Sequence, residues 1–450
     1  MSKQATHYVA VIGGAVAGSV AAEILAEHGI QVVIIEQNKK PYGKIEDGLP
    51  RWHREQRKQE YARIDARLKK PGVTFIPSTR LGSDLDFKEL IDQWGFSAVV
   101  LANGAWRDRN VGVEGADEYI DKGLIYQNPF IYWYNHKNEK SYSGPRYEAP
   151  DETLVLGGGL ASIDVVKILQ LETYERALKA RGVQTDMHEL EKKGIPAICK
   201  NHNIEPQELG VKGCLLIYRR RMQDMPLAQP PDNATPEQLA RTERIRQKLL
   251  SVQQKKYLFR FQDRRLTGGL IVENGRLVGL KLSETHVEGR KATPIPGTEH
   301  ELRSPLIISS IGSVPEIIPG IAMKGEYYTF KDWDLGYYAG SDRVFGVGNV
   351  VTGQGNIRAS LVHSQKVANH LIENYMGVGE SGDISGFTAP AEGRAAAQAE
   401  QVKERIQSVT PLSEAQVKAL EQRISAAQKK AGYGGDYDAW IAKVTPPDLE

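Results

Sequence analysis

The stretch from Tyr8 to Glu36 constrains this chain more than any other. A short apolar run, Tyr8–Ile12, leads into GGAVAG, after which Val20, Ile24 and Leu25 recur at helical spacing up to Gly29. Gln31–Glu36, QVVIIE, is a second apolar run with an acid at its carboxyl end. Strand, tight turn, helix and strand within about thirty residues make a βαβ unit. Further strands are predicted at Val73–Ile76 and Ala98–Leu101, the latter after an amphipathic segment carrying Phe87, Leu90, Ile91 and Trp94. The sheet is therefore expected to be mostly parallel.

The turn places Gly13, Ala15 and Gly18 at the three positions of a GxGxxG fingerprint. The first glycine permits the tight turn and the last permits close packing of helix on strand, while Ala15 adds a methyl where backbone should approach a pyrophosphate. Glu36, 18 residues past Gly18, stands where a carboxylate accepts hydrogen bonds from ribose hydroxyls. Together they fit an adenine dinucleotide; simple helix packing is the alternative. The pattern recurs about 144 residues downstream, where Thr153–Leu156, GGGLAS and IDVVKILQLE read as strand, turn and helix. Gly157 and Gly159 hold the first two positions and Ser162 the third. The next strand, CLLIY, ends not in an acid but in Arg219, Arg220 and Arg221. A fork of donors grips a 2′-phosphate that an acid would repel, so NADP is favoured over NAD, against a solvated basic turn. A third glycine-rich loop, with Gly353, Gly355, Asn356 and Ile357, opens another helix, either an ordinary core helix or one aimed at the pyrimidine edge of a flavin.

Length and charge set the remaining bounds. Four hundred and fifty residues predict two or three domains. Fifty-eight basic against 56 acidic residues leave no global basic field for nucleic acid. No apolar run reaches membrane-spanning length, and the seven residues before the first strand are too short for a signal peptide, so a soluble cytoplasmic protein is expected. Cys199 and Cys214 fit neither a CxxC pair nor a metal set, and no metal site is expected. A polar insertion, about 173 to 213, reads as short helices; Tyr257–Phe261 reads as a strand, and GLIVENGRLVGLKL as a hairpin turning on Asn274 and Gly275. Leu306–Gly312 is another buried strand. After Gly379 two helical stretches break near Thr410 and Pro411, and the stripe Val417, Leu420, Ile424, Ala427 either packs on the parent domain or makes a dimer contact.

Over roughly residues 8 to 376 these motifs resemble the adrenodoxin reductase-like ferredoxin NADP reductases and, more distantly, the glutamate synthase small subunit. The likeness rests on PYGKIEDGLPRWH, with Tyr42, Gly43, Gly48 and His53, on Trp133, Tyr134 and Asn135 in NPFIYWYNHKNE, on Asp164 in GGGLASID, on YRRRMQDMP, and on GQGNI. Lys44, Leu160 and Asn349 depart from the family pattern.

The resemblance implies an α/β fold of two Rossmann-like dinucleotide-binding domains: an FAD domain at 1–105 and 341–378, an NADP domain at 106–340, and a helical extension at 379–450. It implies a flavin cradle of Gly13, Ala15, Gly18, Glu36, Gly43, Lys44, Gly48, Leu81, Gly104, Gly348, Asn349, Gly355, Asn356 and Ile357. The NADP turn would be Gly157, Gly158, Gly159, Leu160 and Ala161, with Arg219 and Arg220 on the 2′-phosphate. His53 and Asp164 inherit a candidate role in a polar relay beside the flavin; a satisfied polar histidine and a helix-capping aspartate are the plainer readings.

The implied activity is transfer of hydride from NADPH to FAD and of electrons onward to a ferredoxin or flavodoxin. Arg241, Arg244, Arg246, Lys248, Lys255 and Lys256 form a basic tract suited to such an acidic carrier, or a solvated helix face. A reductase of an organic substrate, a subunit of a larger complex, and a nucleotide-sensing scaffold are the competing expectations.

Overall fold

The computed structural model describes residues 7–230, 233–351 and 385–446. Two parallel sheets dominate it. In the first, the strand order is Phe330–Asp332, Tyr337–Tyr338, Val344–Gly346, Ala98–Leu101, Tyr8–Ile12, Gln31–Ile35, Val73–Ile76. Its last five members are parallel and the two at the other edge are antiparallel. Tyr8–Ile12 sits centrally, in register with Gln31–Ile35 on one side and Ala98–Leu101 on the other. All five of its residues are buried, which is what covering both faces of a parallel sheet requires.

The second sheet is wholly parallel, in the order Leu124–Tyr126, Ile307–Ser310, Leu154–Gly157, Leu215–Ile217, Arg260–Gln262. The helix Leu160–Ala180 follows Leu154–Gly157 and buries Ile163, Val166 and Ile168 in the core of this unit. Strands Arg265–Glu273 and Arg276–Glu288 form the expected hairpin, with Asn274 at φ +50° and Gly275 at φ +72° supplying the left-handed turn it needs. Two short strands, Arg107–Asp108 and Ser313–Val314, pair antiparallel where the chain passes between the two large sheets.

The 173–213 segment does fold as helices, but the first of them is a continuation: the helix from Leu160 runs to Ala180, followed by Met187–Lys193 and Ile195–Asn201. The strand expected at Tyr257–Phe261 is shorter, Arg260–Gln262. Tyr257 is instead the last residue of the helix Pro236–Tyr257, which stops because Leu258 turns left-handed at φ +59°.

Three helices close the described chain: Ser385–Gln407, Glu414–Ala431 and Tyr437–Val444. Ala395, Ala399, Val402 and Ile406 are buried with the helix Val16–Glu27, the small alanines allowing close approach. Leu420 and Ile424 are buried against the first sheet, with Val417 and Ala427 packed beside them, so the tail stripe lies on its own chain. Among the described residues no helix is long and apolar enough to cross a membrane, and no cluster of ligating side chains could hold a metal.

Candidate functional site

The first cavity opens at the carboxyl ends of the central strands of the first sheet, where ligands of open α/β sheets bind. Gly13 has φ +99°, and a Cβ there would stand 2.8 Å from the Ala102 carbonyl oxygen. A Cβ on Gly18 would lie 1.8 Å from the Gly13 carbonyl oxygen, so the helix can seat on the strand only with glycine at that position. Gly18 thus shapes the cradle from behind and does not line it. Ala15 is the residue before the helix Val16–Glu27, whose start carries no side-chain cap. Its methyl faces Gly43, where a Cβ would come within 2.8 Å of it.

Glu36 is 4% exposed and lines the cavity. The Gly14 N–H donates to its Oε2 and the Asn38 N–H to its Oε1, both at 2.9 Å. Burial outweighs these donors and pushes the carboxyl up to about 7.

Lys44, Leu81, Gly104, Gly348 and Asn349 also line the cavity, whereas Gly48 ends the short helix Lys44–Asp47 outside it. Lys44 is half-buried, its Nζ donating to Asn128 Oδ1 (3.0 Å) and Ser313 Oγ (3.1 Å). Burial draws its ammonium down to about 8, against the pull of Asp108. Gly355, Asn356 and Ile357 lie outside the described residues.

Two contributors were not legible in the sequence. Asn103 lines the cavity; its Nδ2 donates to the Tyr328 hydroxyl at 3.0 Å, while its buried Oδ1 has no hydrogen-bond partner among the described residues. Gln398, from the tail helix, accepts the Gly348 N–H at 3.0 Å. Asn103 had a weak signal, its place two residues past the end of a central strand; Gln398 had none, because the contact spans fifty residues of sequence.

The glycine cradle, the buried carboxylate and the orphan acceptor are a donor and acceptor set that suits a dinucleotide.

The second turn is built alike. Gly157 meets Ser310 and Ser162, and Gly158 lies against the Tyr218 ring. Gly159 precedes the helix Leu160–Ala180, faces open space, and leaves the first-turn N–H groups, Leu160 and Ala161 included, uncapped by any side chain. Leu215–Ile217 runs parallel to Leu154–Gly157 and brings Arg219 and Arg220 to the same edge. The exposed Arg219 guanidinium has no partner among the described residues, while Arg220 Nε donates to the Tyr218 hydroxyl at 2.9 Å. Arg221 is committed to Asp224 through two bonds of 2.9 Å. A free guanidinium beside an uncapped helix start suits a phosphate-bearing dinucleotide.

His53 and Asp164 do not line the first cavity. Both are buried, at 3% and 2% exposure, where the Arg51–His53 turn meets the helix Leu160–Ala180. His53 Nε2 accepts from Trp52 Nε1 at 2.9 Å. Burial, then the nearby Lys167 ammonium, push its imidazole down to about 3. Lys167, one helical turn past Asp164, lies 4.4 Å over the Trp52 ring and pairs with Glu191 at 2.9 Å. Asp164 is not a cap, since the helix starts at Leu160.

Of the basic tract, Arg241, Arg244, Lys248 and Lys255 are exposed on the helix Pro236–Tyr257. Arg246 turns inward to the Ala228 and Gln223 carbonyls, and Lys256 is partly buried. Cys199 and Cys214 are both buried and unbridged.

Two Rossmann-like cradles on two parallel sheets in one chain define the fold class: an α/β protein with two dinucleotide-binding units. Residues 7–191 match the model of the pyridine nucleotide-disulphide oxidoreductase family. The chain is 30% identical over 174 residues to the mitochondrial NADPH:adrenodoxin oxidoreductase of Arabidopsis thaliana, covering 38% of this chain and 34% of that protein. It is 27% identical over 322 residues to the NADPH-Fe(3+) oxidoreductase subunit beta of Geobacter sulfurreducens, covering 70% of this chain and 38% of that protein. The chain thus matches little more than a third of the length of either. The solved structure of Mycobacterium tuberculosis FprA in complex with NADPH shares the fold, with a TM-score of 0.65 at 17% identity, covering 94% of this chain and 91% of that one.

Proposed function

We propose that the chain binds FAD in the first cradle and NADPH at the second, transfers hydride between them, and passes electrons to a separate acidic carrier of the ferredoxin or flavodoxin kind. FAD supplies the two-electron chemistry; the protein supplies placement. Glu36 holds the adenosine ribose, the turn Gly13–Gly18 receives the pyrophosphate, and Asn103, Asn349 and Lys44 bound the flavin end. Arg219 and Arg220 grip the 2′-phosphate. In this reading the FAD domain comprises residues 1–105 and 341–378, and the NADP domain residues 106–340.

The observation that carries the proposal is the contrast at the ends of the two second strands, a buried carboxylate in one unit and an unpartnered arginine in the other. His53 and Asp164 act as positioning residues that fix the helix Leu160–Ala180 against the Arg51–His53 turn, because an imidazole held neutral far below physiological pH is a poor proton carrier. The exposed Arg241, Arg244, Lys248 and Lys255 offer a carrier a basic helix face.

The test is anaerobic spectroscopy. Purified protein reconstituted with FAD should show a flavin spectrum that bleaches on addition of NADPH, and then reduce cytochrome c only when ferredoxin or flavodoxin is present. A chain that takes up no FAD would sink the proposal; bleaching without turnover through any carrier would leave the flavoenzyme and remove the carrier.

A further inference from the structure

A second concavity, a cleft of about 1520 Å³, lies on the other side of the segment Lys40–Glu46 from the flavin cradle, and Tyr42 lines both. It is bounded by the helix Arg54–Leu68, the Gln127–His136 and Leu160–Ala180 helices, and the end of the tail helix Tyr437–Val444.

The charges that line it are unevenly matched. Its carboxylates are engaged: Glu46 pairs with Lys40, Glu172 with Lys137, and Glu175 with Lys179. Asp65 accepts from the Tyr42 and Tyr437 hydroxyls, and Asp186 caps the helix Met187–Lys193 through the Glu189 N–H. The cations of one turn and the helix it starts are not so matched. Among the described residues Arg51, Arg54 and Lys58 have no carboxylate partner; Arg51 lies in the Arg51–His53 turn, and Arg54 and Lys58, four residues apart, share one face of the helix Arg54–Leu68. Arg57, only 7% exposed, donates to neutral groups, the Tyr61 hydroxyl at 3.0 Å and the Leu49 carbonyl at 3.5 Å.

Arg57 acts on the nearby Glu46 carboxylate without forming an ion pair with it, and four like charges set close together repel one another.

We propose that this cleft is a binding site for a small phosphorylated molecule carrying two or more negative charges, held by Arg51, Arg54, Arg57 and Lys58. Forked guanidinium donors match phosphate oxygens, and a concavity admits a small molecule more readily than the broad face of a protein. The site is distinct from both dinucleotide cradles.

The probe is inorganic pyrophosphate, titrated calorimetrically into the full chain saturated with FAD and NADP⁺ so that both dinucleotide turns are filled. Saturable binding with Kd below about 1 mM is expected. Arg54→Gln combined with Lys58→Gln, both exposed positions, should weaken it about tenfold at unchanged melting temperature, and Arg51→Gln alone about fivefold. Citrate should bind more weakly than pyrophosphate. Absence of saturable binding, or equal binding by the wild type and both variants, overturns the proposal. So does a double variant that slows reduction of an acidic carrier protein while pyrophosphate fails to bind, since the face would then be a protein dock.

Discussion

The two dinucleotide turns share a backbone plan and differ at nearly every position where the plan meets a side chain. In the first, the third fingerprint position is immovable, with a Cβ on Gly18 falling 1.8 Å from a carbonyl oxygen. In the second, Ser162 occupies that position and uses its hydroxyl, donating to the Gly159 carbonyl at 2.6 Å. At the middle position the order is reversed. Ala15 is accommodated because the residue facing it is Gly43, whereas Gly159 faces open space. A fingerprint is thus a set of steric demands that can move to a neighbouring segment, and a missing glycine in one strand–turn–helix need not mean a missing site.

The largest expected break in this comparison comes from Gly18→Ala, which forces the helix Val16–Glu27 off its strand and should cost about 3 kcal/mol or more in a denaturant melt. Arg219→Ala removes the free guanidinium and should raise the KM for NADPH about 30-fold in steady-state assays, with little change for NADH. Equal effects on the two nucleotides would strip the second turn of its 2′-phosphate role.

The acid in the first turn predicts a pH dependence the second lacks. In the proposed mode ribose hydroxyls donate to the ionised carboxylate, and burial pushes Glu36 up to about 7. FAD affinity is therefore full above that pH and lost below it, falling about tenfold between pH 8 and pH 6 in equilibrium dialysis. Glu36→Gln should bind FAD more weakly at pH 8 and flatten the profile. Smallest of all, Ser162→Ala should change stability by under about 1 kcal/mol, since only one local hydroxyl bond is lost.

Much of this architecture can be read from residue order alone, because it rests on local periodicity. Val73–Ile76 and Ala98–Leu101 are strands over the expected spans, and the Asn274–Gly275 hairpin turns where its φ > 0 residues require. What eluded the sequence depends on contacts far along the chain. The eight-residue helix Tyr437–Val444 is too short for periodicity to reveal; it is anchored by Tyr437 on Asp65 at 2.7 Å and by Trp440 on the Lys39 carbonyl at 2.8 Å. Tyr257 reads as strand from its β-prone neighbours, yet it ends a helix that the left-handed Leu258 stops, with its hydroxyl donating to Glu191. The cradle and the arginines after CLLIY were visible as motifs. Asn103 and the cleft cations were not, since their meaning lies in the partners they lack.

The bond from Gly348 to Gln398 ties the carboxyl-terminal helices to a residue that lines the first cavity. Trimming the gene to the two sheets, a natural economy for crystallisation or for fusing the protein to another module, would cut that tie, strand a buried amide, and bare the alanine seam on Val16–Glu27. Linkers and tags are better grafted beyond Val444, where the last described helix has already ended.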